Sequence, residues 1–178
     1  NQLLNLMVFV YGFITIGTQI IIAQYIGANK LRDIKHVIHT ALFGSFTIGM
    51  MISIVFFFFS KSLLTFMNLN EELIQIGNSY LQIFGGSLII SALSAVIIAI
   101  LRTHGHTKPA LLIPMTASIL SVIGNYFVLY QPFGLPSFGV SGLAYSSVFG
   151  NMIGLIISVA LLKRYIGFSI FSFRFRKI

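Results

Sequence analysis

The sequence predicts an all-α integral membrane protein, and three observations lead there. The chain of 178 residues is 57% apolar and only 8% charged, against about 45–50% and about 25% in soluble domains. Its mean hydropathy is +0.97. The few charges are bunched: Lys30, Arg32, Asp33 and Lys35; then Lys61, Glu71 and Glu72; then Arg102 and Lys108; and finally Lys163, Arg164, Arg174, Arg176 and Lys177. Between these groups lie uncharged stretches at 1–29, 36–60, 73–101 and 109–162, each long enough for at least one membrane-crossing helix of about 20 residues. Disorder is excluded, because such a composition does not favour water. With no Cys in the chain, a disulfide scaffold and a Cys metal site are excluded as well.

Taken in order, the first span is expected at 2–26, ended by a basic loop near 27–37. The second, at 38–60, is Phe-rich. The third, at 77–101, follows Glu71 and Glu72, three residues after Asn68; acids favour a helix N-terminus, so the pair is expected to cap that helix. The last uncharged stretch is interrupted by Gln131-Pro132-Phe133-Gly134-Leu135-Pro136. That turn signal divides it into spans at 110–130 and 139–162.

Five spans alternate sides, which places the loops near 27–37 and 102–109 and the C-terminal tail on one face. That face carries ten of the eleven Lys and Arg, all but Lys61. Cytoplasmic loops hold the Lys/Arg excess, so the tail is expected in the cytosol and the N-terminal end outside, in a plasma (inner) membrane. The net charge of +8 is on this reading a topology signal and not a nucleic-acid footprint. Asn1 is not an initiator Met and no secretory signal precedes the first span, so the chain is expected to be a fragment. Residues 165–178, rich in Phe, Ser and Arg, are expected to form an interfacial tail and linker.

Small and polar residues recur at helical spacing: Asn5, Gly12, Thr15 and Gln19; Ser87, Ser91 and Ser94; Ser118, Ser121 and Asn125; Ser147, Asn151, Gly154 and Ser158. Only the Phe-rich second span lacks a clear stripe. Serines and glycines in such stripes let helix backbones approach, and Gly150 with Gly154 forms a GxxxG pair. Amides are costlier to bury alone, so Gln19, Gln24, Asn125 and Asn151 are expected to face a partner or a wet cavity. No carboxylate lies within a span. His36, His39, His104 and His106 sit at membrane edges and are expected to be solvated; the pair at 36 and 39 lacks a third metal ligand. No Ser/His/Asp set, HExxH motif or phosphate-binding loop is present, so neither an enzyme nor a cofactor is expected.

Three stretches together resemble the multidrug and toxic compound extrusion (MATE) transporters. Gly17-Thr18-Gln19-Ile20-Ile21-Ile22-Ala23-Gln24-Tyr25-Ile26-Gly27-Ala28 is similar to the family's exit from its second helix. Leu101-Arg102-Thr103-His104-Gly105-His106-Thr107-Lys108-Pro109 is similar to the junction of helices four and five, and Gly134-Leu135-Pro136-Ser137-Phe138-Gly139-Val140-Ser141-Gly142-Leu143-Ala144-Tyr145-Ser146-Ser147 to the start of helix six. The resemblance implies helices two to six of a six-helix lobe, from a transporter of two such lobes. Helix one and the second lobe would lie outside this chain. It also implies a secondary antiporter that expels drugs and organic cations in exchange for Na⁺ or H⁺, embedded in the lipid bilayer and without nucleic-acid partners.

Some members carry an Asn and an Asp four residues apart on helix five, a Thr early in helix six, and an Asp on helix one. The matching positions here are Ser121, Asn125 and Ser147; with Gln19 and Asn151 they are the candidate cation or substrate residues. Asn125 departs from the acid of those members, and an amide cannot carry a proton. Two alternatives stand beside this reading. One is a lipid-linked glycan flippase of the same broad group, disfavoured by the lack of Arg or Lys inside the spans. The other is a non-transporting membrane scaffold subunit.

Overall fold

A computed structural model describes residues 2–28, 31–67, 70–130 and 139–167, with the side chains of 2–8, 10, 11, 14, 31 and 32 left aside. The turn at 131–136 and the tail from 168 onwards lie outside the described residues, as do Asn68 and the side chain of Asn5. The described chain is all helix: α1 (Gln2–Gly27), α2 (Leu31–Phe58), α3 (Ser60–Phe66), α4 (Glu71–Gly86), α5 (Leu88–Thr103), α6 (Thr107–Tyr130) and α7 (Gly139–Ile166). Asp33–Phe58, Thr107–Tyr130 and Gly139–Ile166 are each long and apolar enough to cross a membrane, and α4 with α5 qualifies as a fourth, bent by 43°. This is a multi-pass membrane protein.

The third span departs from the unbroken helix expected at 77–101. It is two helices meeting at Ser87, and the cause is local. Gly85 and Gly86 have the weakest helix propensity short of Pro, and their bare backbones are pressed by α2: a methyl on Gly85 would lie 2.5 Å from Phe56 Cβ, and one on Gly86 3.3 Å from the Phe57 ring. The helix also starts earlier than expected, at Glu71. Its N-cap is Asn70, extended and without a side-chain capping bond, while Glu71 and Glu72 occupy the first turn where the dipole favours acids. A short helix that the charge pattern did not announce, α3, is tied to α4 by the Ser60 hydroxyl donating to Asn78 Oδ1 at 2.6 Å.

The bend puts α5 at the centre of the bundle. It touches α1, α2, α4, α6 and α7, and Ala92, Val96, Ile97, Ala99, Ile100 and Leu101 along it are all buried. Around it run α1, α2, α4, α7 and α6 in that order; α1 contacts neither α6 nor α7 among the described residues. Two apolar cores result. One at the basic end joins Ile22, Ile38, Ile100, Ile113 and Leu162 from five helices. The other, around Phe56, Leu64, Ile74, Leu81, Leu88 and Ala92, joins α2, α3, α4 and α5.

The Phe-rich second helix does carry a small-residue stripe, contrary to the sequence reading. Ser45, Gly49 and Ser53 are buried at four-residue spacing, and a methyl on Gly49 would sit 3.0 Å from Ala92 Cβ on α5. The bulky Phe residues between them mask the stripe. In α1 the reverse holds among the described side chains: Gly12 meets nothing within 4 Å, and the buried positions are Thr18 and Ile22. The junction Leu101–Pro109 is a helix stop and restart. Gly105 adopts φ +81, the His106 and Gly105 amides donate to the Leu101 and Arg102 carbonyls at 2.9 and 3.0 Å, and Pro109 falls in the first turn of α6 where its missing N–H costs nothing.

Candidate functional site

The seam between α6 and α7 is the most extensive helix pairing in the fold, and small residues make it so. A methyl on Gly150 would come within 2.6 Å of the Ala117 carbonyl oxygen and 3.2 Å of the Ser121 amide nitrogen, and one on Gly124 would run into the Ser146 hydroxyl. Gly154 faces Ala117 Cβ at 3.2 Å. The Ser146 hydroxyl donates across the seam to the Ser121 carbonyl at 3.0 Å. Ser121 is therefore held against α7, half-buried, at the level of Gly150.

Asn125 lies one turn further along the same side of α6. It is half-buried overall, yet its amide oxygen is fully buried and finds no donor among the described residues. Leaving such an acceptor unpaired costs about 1–3 kcal/mol, so Asn125 is the strained polar group of the seam. Ser147 is half-buried on α7, its hydroxyl donating to the Leu143 carbonyl at 3.0 Å. That bond uses the single hydroxyl proton and leaves oxygen lone pairs able to accept a cation. Asn151 reaches α5, its Nδ2 lying 3.4 Å from Ser91 Oγ.

The candidates thus divide. Ser121 and Asn125 stand on α6, and Ser147 and Asn151 on the flank of α7 that turns towards α5. Gln19, half-buried on α1, is separated from them by α5, and Gln24 is exposed. Neither a cleft of about 360 Å³ between α2, α5 and α7 nor one of about 450 Å³ beside Gly124 and Ser146 is lined by any of the five candidates. Two polar groups escaped the sequence reading as interior features, Ser53, which is buried, and Ser45, whose buried hydroxyl finds no partner among the described residues; the hydroxyl of Ser94, which belongs to the expected stripe, is likewise buried without one there. Four-residue spacing with Gly49 is the signal that marks the first two. His36 is exposed as expected, and the other three histidines are less solvated. His104 Nδ1 lies 2.9 Å from the Ile100 carbonyl, the His106 ring is 4.5 Å from that of Tyr165, and His39 is half-buried. Among the described residues no three His, Asp or Glu cluster as metal ligands would.

The chain is similar to known transporters over most of its length. The MatE family model matches residues 1–127. An uncharacterized transporter of Bacillus subtilis, YisQ, is 34% identical over 93% of this chain, and the probable multidrug resistance protein NorM of Bacillus cereus is 26% identical over 92%. The chain spans 36% and 37% of those two proteins. In fold it superposes, with TM-score 0.78 and 23% identity, on the inward-facing conformation of a multidrug resistance MATE family transporter, covering 88% of this chain and 34% of that one. A match over residues 1–127 to one family model, carried by an all-helical bundle of the same fold, makes this chain a member of the MatE family of membrane transporters.

Proposed function

We propose that the chain forms most of one lobe of a secondary antiporter that exports drugs and other organic cations across the plasma membrane in exchange for Na⁺ or H⁺. The observation that carries this is the buried amide oxygen of Asn125, without a partner among the described residues, one turn from Ser121 at the tightest helix seam. A carbonyl oxygen without a donor is a ready ligand for a hard cation, and hydroxyls on neighbouring helices supply further oxygens. Because an amide does not titrate, this position suits a metal cation such as Na⁺. A proton would have to be carried on a carboxylate from outside this chain.

On this reading the relatives' additional length supplies helix one and a second lobe, and the transport path runs between lobes. Repeat-built transporters bind near the bilayer midplane and rock one bundle against the other. The seam between α6 and α7, fastened by glycine contacts and the Ser146–Ser121 bond, would then carry a cation-induced shift as one body. The basic end of the bundle would face the cytosol. The test is ethidium efflux from pump-deficient cells expressing the full-length protein, with Na⁺ and proton gradients collapsed separately. Loss of efflux with one gradient supports the reading and names the ion; no efflux from a correctly inserted protein overturns it.

A further inference from the structure

The bend at Ser87 has a second consequence, on the side of α5 away from the gap between α1 and α6. Next to α4 the space between α2 and α7 is filled, since α4 touches both. Past the bend α5 swings to the centre, and among the described residues α2 and α7 do not touch each other. A groove of about 360 Å³ opens there, walled by Leu42, Phe46, Leu93, Ile97, Leu155 and Val159. Of its lining residues only His39 is polar, and it stands towards the basic end of α2. Along α2 the groove runs from position 39 to 46, about 10 Å at helical rise.

Both walls end in lysine. Lys35 precedes His39 by one turn and Lys163 follows Val159 by one turn, so each continues the groove-lining side of its helix; both are exposed. The acids of the chain are Asp33, Glu71 and Glu72. Asp33 is two positions from Lys35 and so lies on another side of α2, while Glu71 and Glu72 open α4 at the far end of the bundle. The groove is therefore apolar along its length and cationic at its mouth, with no carboxylate to neutralise it.

The geometry points to a binding site for one anionic glycerophospholipid from the leaflet at the basic end, an acyl chain lying in the groove and the phosphate between Lys35 and Lys163. Basic pockets between membrane helices hold such head groups. The site is independent of the transported substrate and of the coupling ion.

Native mass spectrometry of the full-length protein in detergent tests this, with dioleoyl phosphatidylglycerol and dioleoyl phosphatidylcholine added in turn. Retention of the anionic lipid should exceed that of the zwitterionic one by about tenfold, from roughly fivefold per lysine near an anionic head group less screening. The double variant Lys35→Gln/Lys163→Gln should abolish the difference, and glycerol phosphate without chains should not compete. Leu93→Trp, which fills the groove, should lower retention of both lipids; should it misfold, the exposed lysine pair still decides. Equal retention of the two lipids, a preference untouched by the double variant, or no retained lipid because another protein segment covers the groove would each overturn the assignment.

Discussion

The Ser53 hydroxyl of α2 accepts the backbone N–H of Ile89, the second residue of α5, at 3.0 Å. A break in a membrane-embedded helix frees backbone groups that hydrocarbon cannot satisfy. Here they are met locally and from the side. Ser87 donates twice to the Phe84 carbonyl, through its amide at 3.1 Å and its hydroxyl at 2.7 Å, and the Ile90 amide returns to the Ser87 carbonyl at 2.9 Å. Ser53 then caps α5 from a neighbouring helix, so α2 both presses the glycines at the break and satisfies what the break exposes.

Ser53→Ala removes that acceptor and leaves the Ile89 N–H without it. The loss should be about 0.6–2 kcal/mol, the lower figure being typical for hydrogen bonds between membrane helices. The midpoint of thermal unfolding in detergent should fall accordingly. Ser53→Thr keeps the oxygen and should restore most of it; an equal fall in both variants would mean that volume and not the hydrogen bond matters at this position.

At the seam between α6 and α7 the two glycines of the GxxxG pair should behave differently. A methyl on Gly150 meets the fixed Ala117 carbonyl at 2.6 Å, whereas on Gly154 the nearest atom is Ala117 Cβ at 3.2 Å. Gly150→Ala should destabilise by about 1–3 kcal/mol through overpacking. For Gly154→Ala a gain in helix propensity of about 0.8–1 kcal/mol offsets the milder contact, leaving stability nearly unchanged. Gly154→Leu, with no room beyond Cβ, should reduce folded yield. Comparison of monodisperse yield and unfolding midpoint across the three variants checks the ordering.

Much of this architecture was legible in charge and spacing. Grouped charges marked where helices turn, and Gly150 and Gly154 announced a close contact. The bend was not legible, because Gly85-Gly86-Ser87 reads as tolerable within an apolar run until Phe56 and Phe57 of α2 are seen against it. Ser45, Gly49 and Ser53 were hidden among phenylalanines whose bulk dominates any window average. The separation of Gln19 from Asn125 was equally invisible, since it depends on the central position of α5 and not on any local pattern.

The absence of cysteine permits a direct test of orientation. Ser62 of α3 and Lys35 of α2 are exposed at opposite ends of the bundle. If the basic end faces the cytosol, as proposed from the general excess of Lys and Arg in cytoplasmic loops, then in intact cells Ser62→Cys should react with a membrane-impermeant maleimide and Lys35→Cys only after permeabilisation. The reverse pattern would invert the topology and place the basic mouth of the groove outside.

Asn125 separates function from folding with unusual clarity. Its amide oxygen is buried without a donor among the described residues, so Asn125→Leu, close in size, removes an unsatisfied group and should leave stability unchanged or raised. Were the residue only structural, transport would be equally untouched. If it ligates the coupling cation, efflux should fall by about tenfold or more, equivalent to losing about 1.4 kcal/mol of cation binding, while the unfolding midpoint holds. Asn125→Asp then discriminates further. A carboxylate keeps an oxygen ligand and adds a group that can take up a proton, so efflux should persist and become pH-dependent. Full efflux in the Leu variant with a pH profile unchanged in the Asp variant would remove Asn125 from the ion path.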